Sequence, residues 1–395
     1  MKRILYLTFY FEPDLCAGSF RNSPLARELA KQLKGKAEID LYTTMPNRYA
    51  SFQQEAILYE EEDNLRISRI ALPAHKSGMA DQAKSFVAYY REVLSRTRNN
   101  HYDLVFASSS RLFTAYLGKK IARRNRAPLY LDIRDIFYDS MKDLLSGNLL
   151  RRIILPVVHA VEKKTFRSGT HINLISPGFE SYFTKFPHAN YSFFTNGIDD
   201  EFLALESTPI QSDKVKKRVL YAGNIGEGQG LHKFVPGLAK QFSSELEFLI
   251  IGDGGALGKL KEAVAAEGCT NVSFEKPLKR AELLAAYDLA DYFLIHLNDY
   301  DAFKKVLPSK IFELGATDKP IIAGVGGYAA RFIRENLDNV ILVDPCDVES
   351  CVAAMRQYSY QRSPRHEFIK KFSRRSVNEH MAASIAGYLN LTFPE

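Results

Sequence analysis

Leu220-Tyr221-Ala222-Gly223-Asn224-Ile225-Gly226-Glu227-Gly228-Gln229-Gly230-Leu231 runs from a short apolar segment through four glycines into a stretch of helical period. Strand, glycine-dense turn and helix together form the repeating unit of a parallel sheet. The glycines allow a tight reversal and let the backbone approach a ligand at the carboxyl edge. Backbone N–H groups exposed in such a turn suit a phosphate. No Gly-Lys-Ser or Gly-Lys-Thr follows, so the turn is not a P-loop. The next apolar run has the same design and ends in Ile250-Ile251-Gly252-Asp253-Gly254-Gly255.

Further on, Val306-Leu307-Pro308-Ser309-Lys310-Ile311-Phe312-Glu313-Leu314-Gly315-Ala316 opens a short helix just after a proline. Pro308 fits a first turn, where no backbone N–H is needed, and Ser309 fits a terminus whose unpaired donors favour an anion. Lys310 and Glu313 stand three apart and share a face. A glutamate there can accept hydrogen bonds from a ribose or sugar diol, and a lysine beside it offsets diphosphate charge. The pair reads as nucleotide-sugar recognition, with an exposed i to i+3 ion pair as the plainer alternative.

Working outward, short apolar runs alternate with helical segments along the whole chain, which predicts parallel sheets covered by helices on both faces. In the first half the expected strands are Ile4 to Thr8, Ile39 to Thr43, Ile67 to Ala71, Leu104 to Ala107, Leu129 to Ile133 and Ile172 to Ile175. Expected helices are Ser19 to Leu33, Gln82 to Arg98, Arg111 to Arg123 and Leu149 to Phe166. After Asn196-Gly197-Ile198-Asp199 the polar tract Glu206 to Lys217 reads as a linker. A second alternation follows, with strands at Arg218 to Tyr221, Glu247 to Ile251, Val272 to Phe274, Tyr292 to Ile295, Pro320 to Ala323 and Val340 to Val343. The expected domains are 1–205 and 206–374, with a terminal helix in 375–395 crossing back to the first.

In the first half, the initial strand leads through Gly18 towards a helix carrying Arg21, an arrangement suited to a negatively charged group. It lacks the Gly-x-Gly-x-x-Gly spacing, which disfavours a nicotinamide or flavin enzyme. Tyr130-Leu131-Asp132-Ile133-Arg134-Asp135 places charge at the end of a buried strand. Asp135 can orient or deprotonate an acceptor hydroxyl and Arg134 can meet phosphate, or Arg134 and Asp132 can form a structural ion pair.

The chain has 395 residues, 46% of them hydrophobic, and a formal charge of +7, which favours anionic partners without choosing among them. Cys16, Cys269, Cys346 and Cys351 are scattered, with no pattern for zinc, so free thiols in a reducing cytosol are expected and no metal site is assigned. No apolar run reaches membrane-spanning length. The basic tract Lys119, Lys120, Arg123, Arg124, Arg126 and the segment Leu144 to Leu155 can meet anionic lipid or form solvated faces. No basic strip interleaved with aromatics is found, so nucleic acid is not an expected partner.

Taken together, Gly18, the turn Gly223-Asn224-Ile225-Gly226 with Gln229-Gly230-Leu231, the strand end Gly252-Asp253-Gly254, and Pro308-Ser309-Lys310 with Glu313 resemble glycosyltransferase family 4. The resemblance implies an α/β fold of GT-B architecture: two Rossmann-like domains with parallel sheets facing a central cleft. It further implies a retaining transferase that moves a sugar from a nucleotide-diphosphate sugar, most simply a UDP-sugar, to a lipid-linked, lipopolysaccharide or capsule glycan, with no cofactor or metal. The implied setting is cytoplasmic, peripheral at the inner face of the plasma membrane, in the branch that builds O-antigen and capsule. Donor contacts fall to Gly18, Gly223, Asn224, Gly226, Gln229, Gly252, Asp253, Ser309, Lys310 and Glu313; Arg21 and Arg134 would meet acceptor or phosphate; Asp135 and Lys310 would be catalytic. Two positions depart from the family. Lys305 stands where many members have a glutamate, and Asn224 and Gln229 stand where many have arginine and lysine. A non-catalytic nucleotide-sugar- or glycan-binding partner and a nucleotide-sugar 2-epimerase remain as alternatives.

Overall fold

The structure is a computed structural model, and it describes residues 1–47, 55–73, 79–109, 112–144, 148–203 and 215–389. The chain divides into two compact units, one comprising Met1–Asn196 with Arg375–Glu395 and the other Gly197–Arg374.

The first unit is built on eight strands: β1 (Lys2–Leu7), β2 (Ala37–Thr44), β3 (Tyr59–Glu62), β4 (Leu65–Ile70), β5 (Leu104–Ser109), β6 (Leu129–Ile133), β7 (His171–Leu174) and β8 (Asn190–Ser192). Their order is β3-β4-β2-β1-β5-β6-β7-β8. All pairings are parallel except β3 with β4. Every residue of β5 and β6 is buried, as a strand sandwiched between two helical layers requires. Helices α1 (Ala17–Gln32), α2 (Met79–Arg96), α3 (Leu112–Asn125), α4 (Phe137–Leu144) and α5 (Asn148–Phe166) follow or connect these strands. The helix Arg374–Ala386 buries Met381, Ala382, Ile385 and Ala386 in the same core as Leu25, Leu29 and Tyr130.

The second unit has six parallel strands: β9 (Lys217–Asn224), β10 (Leu246–Asp253), β11 (Val272–Glu275), β12 (Tyr292–His296), β13 (Ile321–Gly324) and β14 (Val340–Val343). The order β11-β10-β9-β12-β13-β14 reverses between β9 and β12, so the carboxyl ends of these two strands flank a topological switch point.

Several boundaries differ from the sequence reading. β9 and β10 each run on through glycine, because Gly223 pairs with Gly252 and Asn224 with Asp253. A Cβ on Gly252 would lie 1.9 Å from the Gly223 carbonyl oxygen, so glycine here serves strand pairing. β3 and β8 were not expected: Tyr-Glu-Glu-Glu and Asn-Tyr-Ser carry no apolar run, and each lies at a sheet edge. The units part after Asn196, not after residue 205, since Ile198 and Phe202 are wholly buried in the second unit's core. The expected linker lies outside the described residues as far as residue 214, as do Arg111 and the end of the terminal helix beyond residue 389.

Candidate functional site

In the second unit the helix Lys310–Gly315 follows Ser309, so Pro308 precedes the helix and does not occupy its first turn. The Pro308 and Ser309 carbonyls accept from the N–H groups of Ile311 and Phe312, and the Ser309 side chain makes no capping bond. Ile311, Phe312 and Leu314 anchor the helix in the core, which leaves Glu313 only 6% exposed.

A carboxylate so deeply buried needs partners. Lys310 Nζ stands 2.7 Å from Glu313 Oε2, and the Tyr287 hydroxyl donates to the same oxygen at 3.1 Å. Lys310 Nζ also donates to the Tyr287 oxygen at 3.3 Å. Burial works to raise the Glu313 pKa, but Lys310, the charge of Arg280 and the Tyr287 bond together hold it below the usual carboxylate value. Arg280 in turn donates to Asp199 at 2.6 Å and Glu201 at 3.0 Å, and Asp199 also pairs with Arg374. The i to i+3 pair is therefore present, but as part of a buried charge network and not as an exposed ornament.

The same lysine borders the glycine turn. A Cβ on Gly223 would lie 3.9 Å from Lys310 Cε. Lys310, Glu313 and the end of β9 thus meet beside the switch point.

Several of the turn's N–H groups are engaged within the protein. Gln229 Oε1 accepts from the Asn224 side chain at 2.8 Å and from the Gly226 N–H at 3.0 Å. The N–H groups of Ile225, Gln229 and Gly230 bond to Asp253, Gly226 and Glu227 carbonyls. Asn224 and Gln229 therefore shape the turn from within. Asp253 accepts from the Gly254 N–H at 2.7 Å, and a Cβ on Gly254 would strike Ile225.

Two residues missed in the sequence fasten the turn from outside. The Asn298 side chain donates to the Glu227 carbonyl at 2.9 Å, and its N–H donates to the Gly228 carbonyl at 2.8 Å. His296 accepts the Cys346 N–H at Nε2, so its proton sits on Nδ1 and is donated to the Gln229 carbonyl at 2.6 Å. Burial pushes the His296 pKa down to about 4, and the ring is neutral at pH 7. A strand-end histidine and asparagine at His296-Leu297-Asn298 are the only local hint of this role; Tyr287 and Arg280 reach the site from distant sequence and leave none.

In the first unit, Arg21 is not available to phosphate. It is 1% exposed and forms a two-pronged pair with Asp132 at 2.9 Å, also donating to the Phe194 and Thr195 carbonyls. The structural partner of Asp132 is thus Arg21 and not Arg134. Gly18 lies inside α1, where a Cβ would meet Tyr10 at 3.0 Å and Arg134 Nη1 at 3.1 Å. Arg134 donates to the Ala17 carbonyl at 2.9 Å. Asp135 accepts from the Ser140 hydroxyl at 2.9 Å; burial pushes its pKa up to about 6 against that bond. Gly18, Arg21, Arg134 and Asp135 belong to the first unit and the other expected site residues to the second.

None of the four cysteines forms a disulfide. Among the described residues no helix is long and apolar enough to cross a membrane.

Comparison with known proteins bears on the domain family and the fold. Residues 206–375 match the family described as Glycosyl transferases group 1. Over 293 residues the chain is 25% identical to the putative colanic acid biosynthesis glycosyl transferase WcaI of Escherichia coli K12, spanning 70% of this chain and 71% of WcaI. Anabaena HepE, crystallised with UDP and glucose, superposes with a TM-score of 0.69 at 16% identity, over 98% of this chain and 100% of HepE. The α,α-trehalose 6-phosphate synthase of Burkholderia multivorans gives 0.67 at 10% identity, over 100% of this chain and 99% of its own. At such identities the likeness carries the fold, that of the GT-B glycosyltransferases.

Proposed function

Since residues 206–375 are a glycosyl transferases group 1 domain within a chain of GT-B fold, we propose that this glycosyltransferase takes a UDP-sugar and transfers its sugar, with retention, to a lipid-linked, lipopolysaccharide or capsule glycan. The observation that carries the donor half is the buried Glu313 with Lys310 at its side and Gly223 against the lysine stem. Glu313 offers Oε1 to a ribose hydroxyl, its Oε2 being held by Lys310 and Tyr287, and Lys310 can turn one of its three N–H groups to a diphosphate oxygen without losing contact with Tyr287. The likeness to HepE, a protein captured with UDP and glucose, supports UDP as the nucleotide.

In a retaining displacement the diphosphate departs as the sugar becomes oxocarbenium-like. The dominant demand is stabilisation of charge on the leaving oxygens, and a lost donor of this kind costs about 3 kcal/mol, on the order of a hundredfold in rate. Lys310 is the group for that task; Asp135, with its raised pKa, is the group for the acceptor hydroxyl. The scheme draws on no metal ion, so chelator should leave the rate unchanged. Its setting is the cytoplasmic side of a membrane that carries the lipid-linked acceptor.

Thermal unfolding with UDP and UDP-sugars, each variant measured against its own ligand-free midpoint, tests the donor site. At a hundred times Kd a donor adds about 2.7 kcal/mol. The wild type should gain this shift with UDP compounds and Glu313→Gln should lose most of it. Equal shifts in both would remove Glu313 from the donor site. Conversion of the donor without any acceptor would favour the epimerase alternative.

A further inference from the structure

The outer face of α5 carries large aliphatic side chains in solvent. Ile153 and Val157 are 62% and 61% exposed, although large aliphatic side chains four apart on a helix normally face a core. Pro156 and Ala160 are exposed beside them, and Arg152, Lys163, Lys164 and Arg167 border the same face or extend it just past the helix end. The opposite face packs inward through Leu155, Val158 and Phe166. The single acidic residue of α5, Glu162, is on that inner face, 1% exposed and bonded to the Tyr182 hydroxyl and the Tyr138 N–H. The outer face is therefore apolar and cationic, without a carboxylate of its own.

The adjacent helix α3 extends the positive charge. Partial burial, and then the nearby charges of Lys164 and Arg123, lower the Lys119 pKa. Lys119 and Lys120 also hold their ammonium nitrogens 5.6 Å from the ring centres of Tyr116 and Tyr90. Among the described residues no ion pair holds Lys119, Arg123, Lys163, Lys164 or Arg167, and cations crowded in this way are stabilised by an anionic surface that neutralises several at once.

We infer that α5, flanked by α3, is a docking face for an anionic phospholipid bilayer, with Ile153 and Val157 entering the headgroup boundary and Lys119, Arg123, Lys163, Lys164 and Arg167 meeting lipid phosphates. A protein partner matched to this face would need both an acidic and an apolar patch; a bilayer supplies both over any area, and the combination of basic rim and exposed aliphatics is that of interfacial helices. The crossover from β6 to β7 runs through α4 and α5, and it starts at the carboxyl end of β6, where Arg134 and Asp135 stand.

The inference is independent of the donor site, and its test uses no nucleotide. The full chain is sedimented with vesicles of phosphatidylcholine alone and of phosphatidylcholine with about one third phosphatidylglycerol, at low and high salt. Wild-type protein should bind the anionic vesicles about tenfold or more tightly than the neutral ones, and salt should weaken binding. Lys163→Glu with Lys164→Glu should abolish that preference. Ile153→Ser with Val157→Ser should weaken binding at both salt levels. All four side chains are exposed, so unfolding midpoints should stay near the wild-type value. Equal binding to neutral and anionic vesicles, or no change in either double variant, would overturn the inference. So would a wild-type dimer in analytical ultracentrifugation that Ile153→Ser with Val157→Ser converts to monomer, since the face would then belong to a second copy.

Discussion

Replacing Lys310 with methionine keeps the length of the side chain and removes its charge, leaving Glu313 buried beside Tyr287. Breaking a buried ion pair from one side costs about 3–5 kcal/mol. Two features favour the lower end: Arg280 still faces Glu313, and the Lys310 side chain is 23% exposed, so part of its charge was already solvated. A loss of about 3 kcal/mol in a unit of this size lowers its unfolding midpoint by about 6–12 °C. The pH dependence is the sharper test. In the wild type Glu313 is held below its ordinary pKa, so its stabilising share is present above the unfolded carboxyl value of about 4.3 and is lost as pH falls through the folded value. With methionine at 310, burial is less opposed and the folded pKa rises, so the penalty grows with pH above about 4.3. The midpoint gap between wild type and Lys310→Met should be widest at neutral pH and close on acidification. Lys310→Met with Glu313→Gln should recover much of the loss, because no unpaired carboxylate remains. The chain has no tryptophan, so calorimetry or far-ultraviolet circular dichroism is the suitable readout. A gap that stays constant with pH, or a double variant no more stable than Lys310→Met, would refute the reasoning.

Asp135, titrating near 6, should give kcat/KM for sugar transfer a limb that rises with pH through about 6 as the carboxylate forms. Asp135→Asn should remove that limb and lower the rate by about 10²–10⁴; a limb that survives in the variant would assign it to another group. Arg21→Met should destabilise the first unit by about 3–5 kcal/mol, because Asp132 loses its buried cation. Donor affinity of the folded fraction, measured by calorimetric titration well below the midpoint, should be unchanged; a large loss would return Arg21 to phosphate binding.

The architecture was legible because it rests on periodicity. Runs such as Ile4-Leu5-Tyr6-Leu7 and Leu129-Tyr130-Leu131 are buried on both faces, and that burial is written in their composition. β3 and β8, at sheet edges, gain little from apolar side chains and so carried no signal. At the site, the pairing of Lys310 with Glu313 followed from helical spacing alone. What the spacing could not convey was the environment: Tyr287 and Arg280 meet Glu313 across 26 and 33 positions, and their presence turns a surface pair into a buried one. The glycines show the same limit. Glycine is compatible with an exposed amide and with a tight strand pairing, and at Gly252 the 1.9 Å approach to the Gly223 carbonyl shows the second. Arg21 was likewise given to a ligand because its partner, Asp132, lies 111 positions away.

The second unit begins and ends at one spot. Ile198 forms a parallel bridge with Ser373, and Gly197 presses so closely on Arg374 that a Cβ would lie 2.5 Å from the Arg374 Cα. In topological terms the segment Gly197–Arg374 is an insertion hung on a single stem, interrupting an otherwise continuous fold. A piece of chain whose ends are neighbours can be exchanged as a cassette without stretching its host. The second unit could therefore be swapped for another with equally close ends, leaving the scaffold that carries Asp135 intact.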